Sequence, residues 1–186
     1  MGVSMYLPGR GKMTKMDLFE VIKRRRSVRA FEKRAVEEDK VNAILEACNA
    51  APSAGDLQAY EIYLIRSEEK LRDLAQAALG QDFIAGAAFA LVFCAHPRRS
   101  AIKYGGRGSE LYCIQDATIA SAYAQLAATA LGLGCVWVGA FDDARVLQII
   151  GAPANLRPIA IIPMGYPAEL PQATPRRGVD RLVHKV

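Results

Sequence analysis

The apolar positions of this chain fall into short blocks whose spacing switches between helical and extended periods. From Asp17 to about Arg25, Leu18, Val21 and Ile22 share one side of a helical wheel, and Thr14 with Asp17 three residues on has the form of a capping signal. From about Glu37 to Ala51, Val41, Ile44, Leu45 and Cys48 form a second such stripe, and Pro52-Ser53-Ala54-Gly55-Asp56 closes that helix. Tyr60 to Ile65 is dense in aromatic and β-branched residues and predicts a strand. Ser67, followed by Glu68 and Glu69, predicts the start of a third helix. Phe83 to Gly86 predicts a short helical turn. Ala88 to Ala95 is an unbroken apolar run of the kind buried on both faces of a sheet.

His96 to Gly108 is polar, basic and glycine-rich, which predicts a loop. From about Ser109 to Leu133 the chain is Ala-rich and apolar on nearly every side, the pattern of a long central helix buried all round, with Gly132 and Gly134 ending it. Gln115 and Asp116 enter this helix as polar residues that need partners, supplied by core hydrogen bonds or dimer contacts. Cys135 to Gly139 predicts a buried strand, Asp142 to Ile150 a short helix stopped by Gly151 and Pro153, and Ile159 to Tyr166 a last strand. The tail from Pro167 is proline-rich and basic until Leu182-Val183. Residues 1–15 read as an irregular leader, with Met13 and Met16 as alternative starts, and 16–186 as a single domain. Helices and strands are interspersed without an internal repeat. The expected class is α+β: a layered fold, its mixed central sheet flanked by helices around one long buried helix.

Composition narrows the chemistry only a little. A chain of 186 residues with 52% hydrophobic residues buries a core without disulfides. Cys48, Cys94, Cys113 and Cys135 form no C-x-x-C pair and sit in apolar settings, so they read as buried thiols of a reducing cytosol. No two ligands share a metal-binding spacing with His96 or His184, so no metal site is expected. No secretory signal is evident and no apolar run is long enough for a membrane span, so the expected location is cytoplasmic. The net charge of +5 suits a bound phosphate or a nucleic acid equally well. The basic residues are scattered over loops without interleaved aromatics, which argues against nucleic acid. No G-x-G-x-x-G follows the first strand, and the P-loop pattern is missing.

The densest chemistry is Arg25-Arg26-Ser27-Val28-Arg29, three guanidinium forks and a hydroxyl within five residues. They suit an anionic ligand; they also suit the C-terminal end of a helix. Four separated segments together resemble the FMN-dependent nitroreductase family. They are Arg25 to Phe31, Ala51 to Gln58, Leu131 to Phe141 after the Ala-rich helix, and Ile159 to Tyr166 followed by Arg176-Arg177. The resemblance implies an α+β homodimer with two FMN sites at the subunit interface. It implies that Arg25, Arg26 and Ser27 hold phosphate and ribityl oxygens, joined by Arg176 and Arg177, and that Arg29 lies at the N1/O2 side of the ring. Pro52, Ser53, Ala54 and Asp56 would approach the ring from the partner subunit. Asp56 stands where an amide is expected; a carboxylate accepts from ring N3–H but donates nothing, so Gln58 is the alternative donor. Val138, Gly139 and Ala140 would offer close backbone, with N–H groups directed toward N5 and O4.

On this resemblance no side chain is an acid or base. Hydride passes from NAD(P)H through N5 to nitroaromatics, quinones or similar acceptors in a ping-pong cycle. Tyr104 and Arg107 are the candidate substrate contacts in the 96–108 segment. Two other readings use the same fold: a reductive dehalogenase-type flavoprotein and a flavin-binding protein without turnover.

Overall fold

A computed structural model describes residues 16–186. The leader and Thr14 lie outside the described residues; Asp17 caps the first helix, its carboxylate accepting from the Phe19 and Glu20 N–H groups at 2.9 and 3.1 Å. That helix, α1, spans Leu18–Arg24 and buries Val21 alone. Leu18 and Ile22, expected on its buried side, are 60% and 52% exposed. Only one of its seven residues is buried where the helix meets its neighbour.

The core is a four-stranded sheet in the order β1-β2-β4-β3: β1 Tyr60–Ile65, β2 Phe89–Ala95, β4 Arg157–Gly165 and β3 Gly134–Cys135. All three strand pairings are antiparallel, and the parallel component of the sheet is a single bridge from Ser27 to Cys135. Helices cover both faces. Phe89, Leu91, Phe93 and Ala95 of β2 pack with α2 (Glu38–Asn49) and α5 (Cys113–Ala130). Ala90, Val92 and Cys94 pack with α3 (Glu68–Ala77) and α6 (Asp143–Ile150). The apolar run of β2 is therefore buried on both sides, as its composition predicts. Each large side chain hidden there contributes about 1.5–3 kcal/mol.

Three expectations need correction. Residues 96–108 are not a loop. The His96 ring accepts from the Arg99 N–H at 3.2 Å, Pro97 opens the first turn, and α4 runs Pro97–Arg107. It turns a corner at Gly105, whose φ of 54° and ψ of −140° side-chain-bearing residues avoid. Gly108 then seats against Ser100, where an added Cβ would lie 2.5 Å from the carbonyl oxygen. The glycines that suggest a loop are the devices that let one helix fold back on the next.

The long helix is not buried all round either. α5 hides one stripe, Cys113, Asp116, Ala117, Ala120, Ser121, Ala124 and Ala128. Its opposite side leaves Thr118, Ala122 and Tyr123 exposed. Alanine brings that stripe close to the sheet.

The strand expected at 135–139 is also interrupted. Gly134 pairs with Gly165, Cys135 with Met164, and Val138 with Ile161, all in one register. That register sets Val136 opposite Pro163, which has no N–H to give. The ladder lapses there; Val138, buried, rejoins it by its bridge to Ile161, while Trp137, Gly139 and Ala140 are exposed.

Candidate functional site

Two separate crevices, sharing no residue, are lined by part of the candidate set: Arg25, Arg26, Ser27, Arg29 and Arg176 in one, Pro52, Ser53 and Ala54 in the other. The first, of about 600 Å³, is lined by Arg25, Arg26, Ser27 and Arg29 on one side and by the Pro171–Thr174 segment and Arg176 on the other. The local fold explains the clustering. Arg25 ends α1, its N–H returning to the Val21 carbonyl. The chain then runs extended: Ser27 bridges Cys135, and Val28 turns into the core against Gly134. The residues on either side of Val28 are thereby held at the mouth of the crevice.

Charge there is one-sided. Arg25, Arg26, Arg29 and Arg176 form no ion pair among the described residues, while Arg24, Arg34, Arg66, Arg72 and Arg99 each meet a carboxylate. Arg26 donates to the Lys23 and Arg25 carbonyls at 2.6 and 2.9 Å. Glu169 accepts from the Arg29 backbone N–H rather than from its guanidinium. Arg177 does not line the crevice; it donates to the Arg181 carbonyl at 3.0 Å.

From this crevice the groups continue toward exposed backbone. The Arg29 guanidinium lies 5.9 Å from the centre of the Phe83 ring. In the same turn the Gln81 amide donates to the Ala140 carbonyl at 3.2 Å. Val138 exchanges both backbone hydrogen bonds with Ile161 at 3.0 Å. Gly139 and Ala140 N–H have no acceptor among the described residues, so they are two free donors on exposed chain.

The second crevice, of about 540 Å³, is lined by Pro52, Ser53 and Ala54 together with Tyr112 and Asp116. Its rim is a tight loop. Gly55, Asp56 and Gln58 have φ of 57°, 56° and 44°; for the two non-glycine residues this costs roughly 1–2 kcal/mol each. Ser53 and Gln58, expected as ligand contacts, are engaged within the loop: Ser53 Oγ accepts from the Gln58 N–H at 2.9 Å, and the Gln58 amide donates to the Asn49 carbonyl and side chain, both at 3.1 Å. Asp56 is exposed at the tip.

Tyr104 and Arg107 reach this second crevice through Tyr112. The two tyrosine rings meet edge to face at 5.1 Å, and Arg107 Nε donates to the Tyr112 hydroxyl at 3.0 Å. Two participants escape a reading by motif. Arg99 donates to the Gln58 and Tyr60 carbonyls at 2.7 and 3.1 Å and pairs with Glu61. Asp116 is 2% exposed and accepts from the Ala54 and Ala59 N–H groups. A lone carboxylate inside an Ala-rich helix was the signal for Asp116. In the sequence Arg99 reads as one of several basic residues of the 96–108 segment that could steer an anionic substrate; the structure turns it to the Gln58 and Tyr60 carbonyls instead.

The sequence and the fold have known counterparts. The model of the nitroreductase family matches residues 22–81 and 77–166. A provisionally named NADH dehydrogenase/NAD(P)H nitroreductase of Methanothermobacter thermautotrophicus is 34% identical over 92% of this chain and 88% of its own. The FMN reductase [NAD(P)H] of Bacillus subtilis is 29% identical over 86% of this chain and 70% of its own. The crystallised NADPH:FMN oxidoreductase of Vibrio harveyi, in complex with NAD+, superimposes with a TM-score of 0.83 at 30% identity, covering 90% of this chain and 76% of that one. The chain belongs to the nitroreductase family.

Proposed function

We propose that two copies of this chain enclose two FMN molecules, each cradled by the arginine crevice of one copy and the Pro52–Gln58 loop of the other. As a member of this family the chain is an NAD(P)H-dependent oxidoreductase with FMN as its cofactor. Bound there, FMN supplies two-electron chemistry, so that NAD(P)H and then a nitroaromatic, quinone or similar acceptor take turns in one pocket, a ping-pong cycle.

The observation that carries this reading is the set of guanidinium groups without carboxylate partners, facing one crevice beside free backbone donors. The donor set fits the cofactor. Arg25, Arg26, Ser27 and Arg176 match a phosphate dianion and its neighbouring hydroxyls. Arg29 places fixed positive charge where a reduced, negatively charged ring gains most from it. Gly139 and Ala140 present N–H groups on backbone with only small side chains of their own, the Trp137 indole lying beside Gly139, and Val138 anchors them to the sheet. Arg177, one residue beyond Arg176, serves the tail rather than the ligand.

The dimer is supported by what the single chain leaves uncovered. Leu18, Phe19 and Ile22 of α1 are exposed, as is Tyr123 of α5, and α1 packs on α5. Burying such a strip against a second copy would also bring one chain's loop toward the other's arginines. Asp56 would then accept from the ring edge, with Tyr104 and Arg107 at the acceptor's entrance. The four cysteines are free and buried, which supports a reducing, cytoplasmic setting; no described helix is long and apolar enough to cross a membrane.

The test is purification followed by anaerobic mixing with NADH and NADPH. The account expects a yellow protein that releases FMN on denaturation, bleaches with a reduced nicotinamide, and regains colour on adding a quinone or nitroaromatic. A protein that neither carries nor takes up FMN would overturn it. FMN uptake without bleaching would leave binding without turnover.

A further inference from the structure

We infer that Asp116 is a positioning residue that locks the Pro52–Gln58 loop into its flavin-ready shape from beneath. The inference rests on the proposed FMN site and assigns to α5 a part in it that the motifs do not suggest.

The loop leaves α2 and enters β1 through three left-handed residues, two of them bearing side chains. Left-handed backbone of this kind persists only where the surroundings over-determine it. The restraints are identifiable. Asp116 Oδ1 accepts from the Ala54 N–H at 2.9 Å, before the three left-handed residues, and Oδ2 accepts from the Ala59 N–H at 3.4 Å, after them. One carboxylate thus ties the two ends of the turn together. Ser53 Oγ closes the turn internally by accepting from the Gln58 N–H. Arg99 of α4 holds the Gln58 and Tyr60 carbonyls from the other side.

Asp116 is the buried member of this set. It is 2% exposed, on the helix stripe that packs against the sheet, with Ala117 and Ala120 beside it. An acceptor-only group there has use because the two amides would otherwise lie unpaired next to the core. The same carboxylate helps to line the second crevice with Pro52, Ser53 and Ala54. Its negative charge stands at the wall a partner's flavin would face, opposite in sign to that of Arg29.

Asp116→Asn keeps the shape but exchanges one acceptor oxygen for a donor that faces an N–H group. Arg99→Gln loosens the same loop from the half-exposed α4 side without touching the core. The test measures FMN dissociation constants and the midpoint potential of the bound flavin for wild type and both variants. Amide hydrogen exchange at Ala54 and Ala59 is followed in parallel. Both variants should bind FMN at least tenfold more weakly, with faster exchange at Ala54 and Ala59 in Asp116→Asn. That variant should also shift the potential upward, because a charge opposing the reduced anion is gone; a lesion of packing alone would leave the potential where it was. If wild type binds FMN and either variant retains its affinity, or Asp116→Asn retains its potential, the inference is overturned. If wild type binds no FMN, the failure is that of the proposed function. Should Asp116→Asn not fold, Arg99→Gln decides by its affinity.

Discussion

Gly134→Ala should loosen the protein and its cofactor together. A Cβ on Gly134 would stand 2.7 Å from Val28 Cγ1, 2.9 Å from its Cβ and 3.1 Å from its Cγ2. Val28 cannot step aside. It is 6% exposed, its branched side chain has little rotamer freedom, and its N–H is bonded to the Cys135 carbonyl at 3.0 Å. The backbone of 27–29 must therefore move, at a cost of about 1–3 kcal/mol for overpacking. For a chain of this size that lowers Tm by roughly 2–4 °C per kcal/mol. The same movement displaces Ser27 and Arg29. Losing one charge-assisted hydrogen bond of about 1.5–3 kcal/mol weakens FMN binding roughly ten- to a hundredfold. The assay is built in. Trp137, the only tryptophan, lies two residues before Gly139 and is 36% exposed, so FMN binding should quench its emission. Gly106→Ala is the control: its Cβ meets nothing within 4 Å, and both Tm and affinity should hold or rise slightly. A Gly134→Ala protein with wild-type Tm, or with lowered Tm and unchanged FMN affinity, would refute the coupling.

Further outcomes follow from the titrating groups. Glu37 is held down at about 2, chiefly by the Tyr166 hydroxyl that donates to it at 2.5 Å, with Lys40 nearby. A depressed carboxylate contributes stability above its ordinary value near 4.5 and loses it as pH falls toward 2. Tyr166→Phe should therefore be less stable than wild type at neutral pH, with the gap closing across that acidic window in urea titrations; a gap independent of pH would refute the assignment. Burial pushes the Cys48, Cys94 and Cys135 thiols up to about 12. Iodoacetamide at pH near 8 should leave these three unlabelled in native protein and label them after denaturation, as read by mass spectrometry; native labelling would contradict the packing.

Much of the architecture was legible because burial repeats with the period of the element that produces it. β2 announces itself by an uninterrupted apolar run, α2 by Val41, Ile44 and Cys48 at helical spacing. What stayed hidden depends on contacts between distant residues. α4 reads as a loop because the fold-back corner depends on the positive φ of Gly105 and on Gly108 seating against Ser100, neither of which residue type alone reveals. The end of the third strand was lost to Pro163, a residue nearly thirty positions away that removes one donor from the ladder. The arginine cluster is readable as a motif; its link with the tail comes only from the family resemblance, which offers both Arg176 and Arg177, of which Arg176 alone lines the crevice. The internal uses of Ser53 and Gln58 and the loop-holding role of Asp116 were not, because hydrogen-bond partners are set by the folded backbone rather than by residue type.

The central claim is that each flavin cradle is shared between two chains, and subunit mixing tests it most directly. One variant carries Arg25→Ala with Arg29→Ala; the other carries Ala54→Arg, which crowds the second crevice. Each alone should retain little FMN. Mixed dimers should regain one tight FMN per two chains, because one of the two cradles is then assembled from unaltered halves. Mixed dimers that bind none, or a monomeric wild-type chain that binds FMN tightly by itself, would contradict the account.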